Sequence, residues 1–227
     1  MSLFSGIYSI SVSGDQLAAG KSAYARGDFS LALRAFTPLA NQGNAEAQTL
    51  IGNLYENGLG VIKDEKLALD WYEKAGKAGD AQGQHNAGIF YYKGRGVDVN
   101  YPAAYEWFLK ATNNDYAPSQ YMIGLMYHQG HGVAINFERA RLWFLKAAKQ
   151  GYANAQFMYA YMIQSGEGEK SDPSRAMVWA LVAEMNGKTD SVAITVPASM
   201  TMSELEVNTA EKIANECFQS NYQNCPD

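Results

Sequence analysis

The stretch AEAQTLIGNLYENGLGVIKDEKLALDWYEKAGKAGDAQ (Ala45–Gln82) decides the fold, because the chain repeats it. It returns as AQGQHNAGIFYYKGRGVDVNYPAAYEWFLKATNNDYAPSQ from Ala81, then as APSQYMIGLMYHQGHGVAINFERARLWFLKAAKQGYANAQ from Ala117. A looser copy runs from Ala153 to Gly187. The four tryptophans, Trp71, Trp107, Trp143 and Trp179, stand 36 residues apart. A fixed period of this size marks a stacked-repeat architecture, in which each unit buries its apolar face against its neighbours.

Each unit reads as helix, loop, helix. Helix A, about Ala45 to Asn57, carries small and apolar residues at three- and four-residue spacing, the pattern of one buried stripe. The pairs Gly58/Gly60, Gly94/Gly96, Gly130/Gly132 and Gly166/Gly168 follow; the first of each suits the left-handed position after a helix. Asp64, Asn100, Asn136 and Asp172 then stand where a side chain caps helix B. The column Gly52, Gly88, Gly124 and Ala160 is expected to let helices A and B approach closely, with Trp71 and Tyr72 filling the space between repeats.

These residues resemble the Sel-one-like repeat family, a relative of the tetratricopeptide repeat. The signature A-x-x-Q…G-x-x-Y-x-x-G-x-G-V…D…A-x-x-W-[YF]-x-K-A-A covers about Ala45–Gly187. The fourth copy departs from it, with Ile163 for Tyr, Glu169 for Val and Val182 for Lys. The resemblance implies an all-α fold, a right-handed superhelical solenoid of antiparallel helix pairs.

The expected organisation is an N-terminal extension over 1–14 and a solenoid over 15–187, followed by residues 188–227. Within the solenoid, 15–44 resembles a tetratricopeptide unit that caps the stack, and 45–80, 81–116, 117–152 and 153–187 are the repeats. Lys188–Met200 has no helical period and contains β-branched SVAITVP, which reads as an extended excursion. Thr201–Phe218 offers a capping box, Ser203 with Glu206, and a closing amphipathic helix.

A net charge of −5 argues against a nucleic-acid surface. No apolar run reaches the ~20 residues of a membrane span. MSLFSGIYSISVSG lacks the basic flank and long apolar core of a secretory signal. Met1-Ser2-Leu3 has the look of a short addition ahead of a mature N-terminus, which leaves an original signal open. The two cysteines, Cys217 and Cys225, are expected to form a disulfide that pins the tail and implies export. Two free thiols would instead place the chain in the cytoplasm.

No catalytic set emerges. The three histidines, His85, His128 and His131, fall in no metal-binding or nucleophilic motif. No cofactor or metal site is expected. The glycine pairs follow helices, and their repetition explains them as turns.

By analogy with tetratricopeptide units, the second, fifth, ninth and twelfth positions of helix A face the concave groove. The first copy places Glu46, Thr49, Asn53 and Glu56 there; the later copies are more aromatic and apolar. The expected partner-binding residues are His85, Ile89, Tyr92, Tyr121, Leu125, His128, Phe157 and Tyr161. A contiguous aromatic stripe of this kind calls for cover. The cover is a protein or peptide ligand, the chain's own residues 1–14 or 188–200, or a second copy by self-association through the groove. The resemblance implies a non-catalytic interaction scaffold. The second function class, a cell-wall-related enzyme or inhibitor, comes from cysteine-rich members of the family linked to β-lactam binding or hydrolysis. This chain has no cysteine within its repeats.

Overall fold

Every secondary-structure element of the computed structural model is helical; the backbone is described for residues 5–227 and side chains for residues 15–227. The expected N-terminal extension therefore lies partly outside the described residues. Helix α1 spans Ser5–Ala25 and includes the backbone of residues 5–14.

The chain divides into two compact units, residues 1–114 and 115–227. In the first, α1 pairs with α2 (Phe29–Asn41), α3 (Ala45–Asn57) with α4 (Glu65–Lys77), and α5 (Ala81–Lys93) with α6 (Tyr101–Thr112). In the second, α7 (Ala117–Gln129) pairs with α8 (Phe137–Ala148) and α9 (Ala153–Ser165) with α10 (Pro173–Met185). A 3₁₀ turn (Thr189–Ser191), α11 (Val192–Ser199) and α12 (Glu204–Gln219) complete it.

Local chemistry sets the element ends. The carboxylate or amide of Asp64, Asn100, Asn136 and Asp172 accepts from the N–H of Leu67, Ala103, Arg139 and Arg175 at 2.8–3.0 Å, which satisfies an orphan donor of helix B. Gly58, Gly94, Gly130 and Gly166 close helix A with φ of 65–75°, a region costly for residues with a Cβ. The second glycine of each pair does more than turn the chain. A Cβ on Gly96 would meet the backbone of Glu65 at 2.6 Å, and one on Gly168 would meet Phe137 at 2.9 Å. The loop of one repeat is thereby pressed onto the start of helix B in the repeat before.

Packing inside each pair rests on the column of small residues. A Cβ on Gly52, Gly88 or Gly124 would sit 2.5–2.6 Å from the ring of Tyr72, Phe108 or Phe144, each fully buried. In the fourth repeat both partners change. Ala160 stands in the glycine column and Ala180 in the aromatic one, both fully buried, so a gain of volume on one helix meets a loss on the other. Fully buried Trp179 stands edge-on to Tyr159 at 5.4 Å and donates to the carbonyl of Pro226 at 2.8 Å.

Between repeats, Trp107 and three glutamines of one column join neighbours. Trp107 lies over Gly76, where a Cβ would approach its ring to 2.7 Å. Buried Gln48, Gln84 and Gln156 donate to the carbonyls of Ala40, Gly76 and Ala148 at 2.9–3.1 Å. Those carbonyls end the preceding helix B, where each also accepts from a turn glycine, Gly43, Gly79 or Gly151.

Residues 188–200 correct the expectation of an extended excursion. They form the 3₁₀ turn and α11. Burial overrides the β-branched propensity: Ile194 and Ala198, four residues apart, are 2% and 0% exposed, packed on α9 and α10. The capping box at the start of α12 is present, with the Ser203 N–H donating to Glu206 at 2.7 Å and the Glu206 N–H to the Ser203 hydroxyl at 3.3 Å. The sulfurs of Cys217 and Cys225 lie at disulfide-bonding distance.

Candidate partner-binding surface

Of the twelfth positions of helix A, two sit opposite the loop of the next repeat. In the first unit, Arg95, between Gly94 and Gly96, donates to Glu56 at 2.5 Å and to Glu65 at 2.9 and 3.1 Å. In the second unit, Glu167, between Gly166 and Gly168, lies 2.8 Å from His128 Nε2. Both contacts join residues 39 apart, and the acidic and basic ends are exchanged between them. His128 also stacks near Phe137, with ring centroids 5.5 Å apart.

Three of the fifth positions, Thr49, Tyr121 and Phe157, meet the residue 31 further on. Thr49 donates to Asp80 at 2.7 Å. Tyr121 meets Tyr152 at 5.4 Å and Phe144 at 5.6 Å. The Lys188 ammonium lies 5.1 Å over the Phe157 ring, a cation–π contact. His85 lies 5.5 Å from the Phe108 ring, and burial pulls its pKa down to about 4. Tyr92 contacts Tyr101 at 5.2 Å and Phe108 at 6.5 Å. These positions vary between repeats, yet their partners vary with them.

The ninth positions are less committed to neighbours. Asn53 accepts from the Tyr72 hydroxyl at 2.7 Å. Ile89 and Leu125 are half-buried, and Tyr161 is 42% exposed.

Within the second unit, three predicted residues come together. His128, Phe157 and Tyr161 line a hollow of about 400 Å³ with Met158, Ala193 and Ile194. Leu125 and Tyr121 are not among its lining residues, and neither are the first unit's His85, Ile89 and Tyr92. Met158 was not expected, whereas Ala193 and Ile194 belong to the 188–200 stretch named above among the covers of the groove. The stretch reaches the groove as a helix and not in the extended form expected. Arg95 and Glu167 were also missed, although their opposite charges at a common offset from Glu56 and His128 are visible in the sequence. A second hollow, about 410 Å³, opens between α10 and α12 with Val178, Leu205, Ala210 and Ile213 among its walls. Its Arg175 is held by Glu169 at 2.6 Å and by the carbonyl of Asp227.

Helix pairs joined by these loops define a solenoid-repeat protein of the helix–loop–helix class. The Sel1 repeat family model matches residues 45–80, 81–116, 117–152 and 153–188, and the chain belongs to that family. Among solved structures it is similar to a Sel1 repeat protein from Oxalobacter formigenes, at 26% identity and a TM-score of 0.75, covering 93% of this chain and 86% of that one. It is also similar to a protective antigen of uropathogenic Escherichia coli strains displaying the same repeat fold, at 25% identity and a TM-score of 0.59. There the match covers 92% of this chain and 54% of the other. A Sel1 repeat protein from Klebsiella pneumoniae shares the fold at 21% identity and a TM-score of 0.52, with coverage of 82% and 93%. Comparison with curated proteins gives no match. Sel1 repeats in general mediate protein–protein interaction. Among the described residues no helix is long and apolar enough to cross a membrane.

Proposed function

We propose that this chain is a non-catalytic interaction module that docks a partner protein in the hollow of its fourth repeat. The observation that carries the reading is Tyr161, 42% exposed at the rim of an apolar hollow floored by Phe157 and Met158. Exposed aromatic side chains beside a concave apolar surface are the usual anchors of interfaces. Leu125 and His128 flank this surface on α7, and Ile89 is the first unit's counterpart to Tyr161. His85, Tyr92 and Tyr121 serve mainly to shape their own repeats. The pairing of Cys217 with Cys225 supports an exported protein, because such bonds persist in oxidising compartments.

The test is site-specific photo-cross-linking in the native host. A benzophenone side chain at position 161 is expected to yield one discrete protein adduct. The same group at position 66, exposed on α4, is expected to yield none. Equal adducts at both positions, or none at 161, would move the binding surface elsewhere.

A further inference from the structure

Residues 220–227 run back from α12 across α10, and the chain bends sharply to do so. Asn221 and Tyr222 make the turn with φ of 52° and 66°, a region costly for residues with a Cβ and more so for tyrosine than for asparagine. The turn lays the Tyr222 ring over Gly151, where a Cβ would approach it to 2.6 Å, and its hydroxyl donates to Asn186 at 2.9 Å. Further on, the Pro226 carbonyl accepts from the Trp179 indole N–H at 2.8 Å, the Asp227 carbonyl accepts from Arg175, and the Asp227 carboxylate pairs with Lys149. Trp71, Trp107 and Trp143 each lie under a lysine ammonium at 4.3–4.4 Å. Val182 stands at the lysine's place in the fourth repeat, and Trp179 takes its polar partner from residues 220–227 instead.

The Cys217–Cys225 bond ties the far end of this strap to α12, and it joins unlike environments. Cys217 is fully buried on the helix, whereas Cys225 is half-buried on the strap. A strained turn persists only where its surroundings over-determine it, and the bond is the constraint that a change of redox state removes. We propose that Cys217–Cys225 is a redox latch: a dithiol opens it and releases the strap while α12 stays folded. One thiolate of the dithiol attacks the more accessible Cys225 Sγ, the S–S bond breaks, and Cys217 leaves as a thiolate that takes up a proton. The second thiol then displaces Cys225 as a thiol and leaves the reagent as a disulfide, so two electrons and two protons pass to the cysteines. With the latch open, the turn relaxes, Pro226 leaves the wall of the hollow between α10 and α12, and the Trp179 N–H and Lys149 lose these partners. The reduced protein thereby presents a donor surface that the oxidised protein hides.

The test uses the full chain, 15N-labelled, with the signals of its four tryptophan indoles assigned by triple-resonance spectra. Dithiothreitol is expected to move the Trp179 indole signal alone and to speed chymotrypsin cleavage after Tyr222 at least about tenfold, as for a locally opened segment. The amide signals of residues 204–216 in α12 are expected to stay in place. Reoxidation restores the first state. Cys225→Ser, which keeps the buried Cys217, is expected to match the reduced protein without any reductant. The inference is overturned if reduction leaves the Trp179 signal and the cleavage rate unchanged, because the strap then holds without its bond. It is also overturned if the α12 signals collapse together with the strap, because the bond then belongs to the fold of that helix. Retention of the oxidised signature by Cys225→Ser overturns it as well.

Discussion

At Gly88 the account is most exposed to a single substitution. A Cβ there would lie 2.6 Å from the Phe108 ring, so Gly88→Leu should overpack the α5–α6 contact and cost about 1–3 kcal/mol in a denaturant melt. An unchanged melt would mean that the column faces solvent. His85 gives a second residue-scale prediction. Burial lowers its folded pKa to about 4 against an unfolded value near 6.5. Between those values the unfolded chain holds a proton that the folded chain refuses, so stability falls as pH drops from 6.5 to 4 and is level outside that window. The loss is on the order of 3 kcal/mol at most, at 1.36 kcal/mol per pKa unit. Urea melts at pH 7 and pH 4.5 read it, and His85→Gln should flatten the difference. The glycine column was legible because an absent side chain beside a required aromatic leaves the same mark in three repeats. The engagement of Tyr121 and His128 was not, because their partners sit 31 and 39 residues on, in columns that themselves vary from repeat to repeat.

At the scale of elements, the loops between helices act as couplers between repeats. Arg95 and Glu56 are each about a quarter exposed, 26% and 22%, so their ion pair is partly shielded from water. A double-mutant cycle with Arg95→Gln and Glu56→Gln should show coupling of about 1 kcal/mol. The same cycle on Lys77 and Glu73, where the lysine is 67% exposed, should give no more than about 0.5 kcal/mol. Equal values would remove the loop's coupling role. Residues 188–200 show the limit of local reading. SVAITVP carries strand propensity and a proline, and only the apolar surface of α9 and α10 makes Ile194 and Ala198 worth burying as a helix. Propensity is local, whereas that surface is assembled from two earlier helices, Ala153–Ser165 and Pro173–Met185. The stretch was expected at the groove, but not the helical form that brings Ala193 and Ile194 to the hollow.

At the scale of the whole molecule, the tail and the hollow set stability and function respectively. The Cys217–Cys225 pair closes a loop of eight residues, and reduction should lower stability by no more than about 2–3 kcal/mol on the chain-entropy model. A larger loss would mean that the bond holds α12 in place as well as the tail. Repeat number and helix pairing were readable from periodicity alone, because each copy solves the same packing problem with the same residues. Recognition was readable only as a set of varying positions, and His85, Tyr92 and Tyr121 of that set pack within their own repeats. The decisive measurement is a titration of the partner recovered by cross-linking at position 161 against wild type, Tyr161→Ala and Tyr121→Ala, with a thermal melt of each. Tyr161→Ala should bind at least about tenfold more weakly with a melt close to wild type, as expected for an exposed side chain, while Tyr121→Ala should melt earlier because Tyr121 packs on Phe144 and Tyr152. Wild-type affinity in Tyr161→Ala would contradict the account.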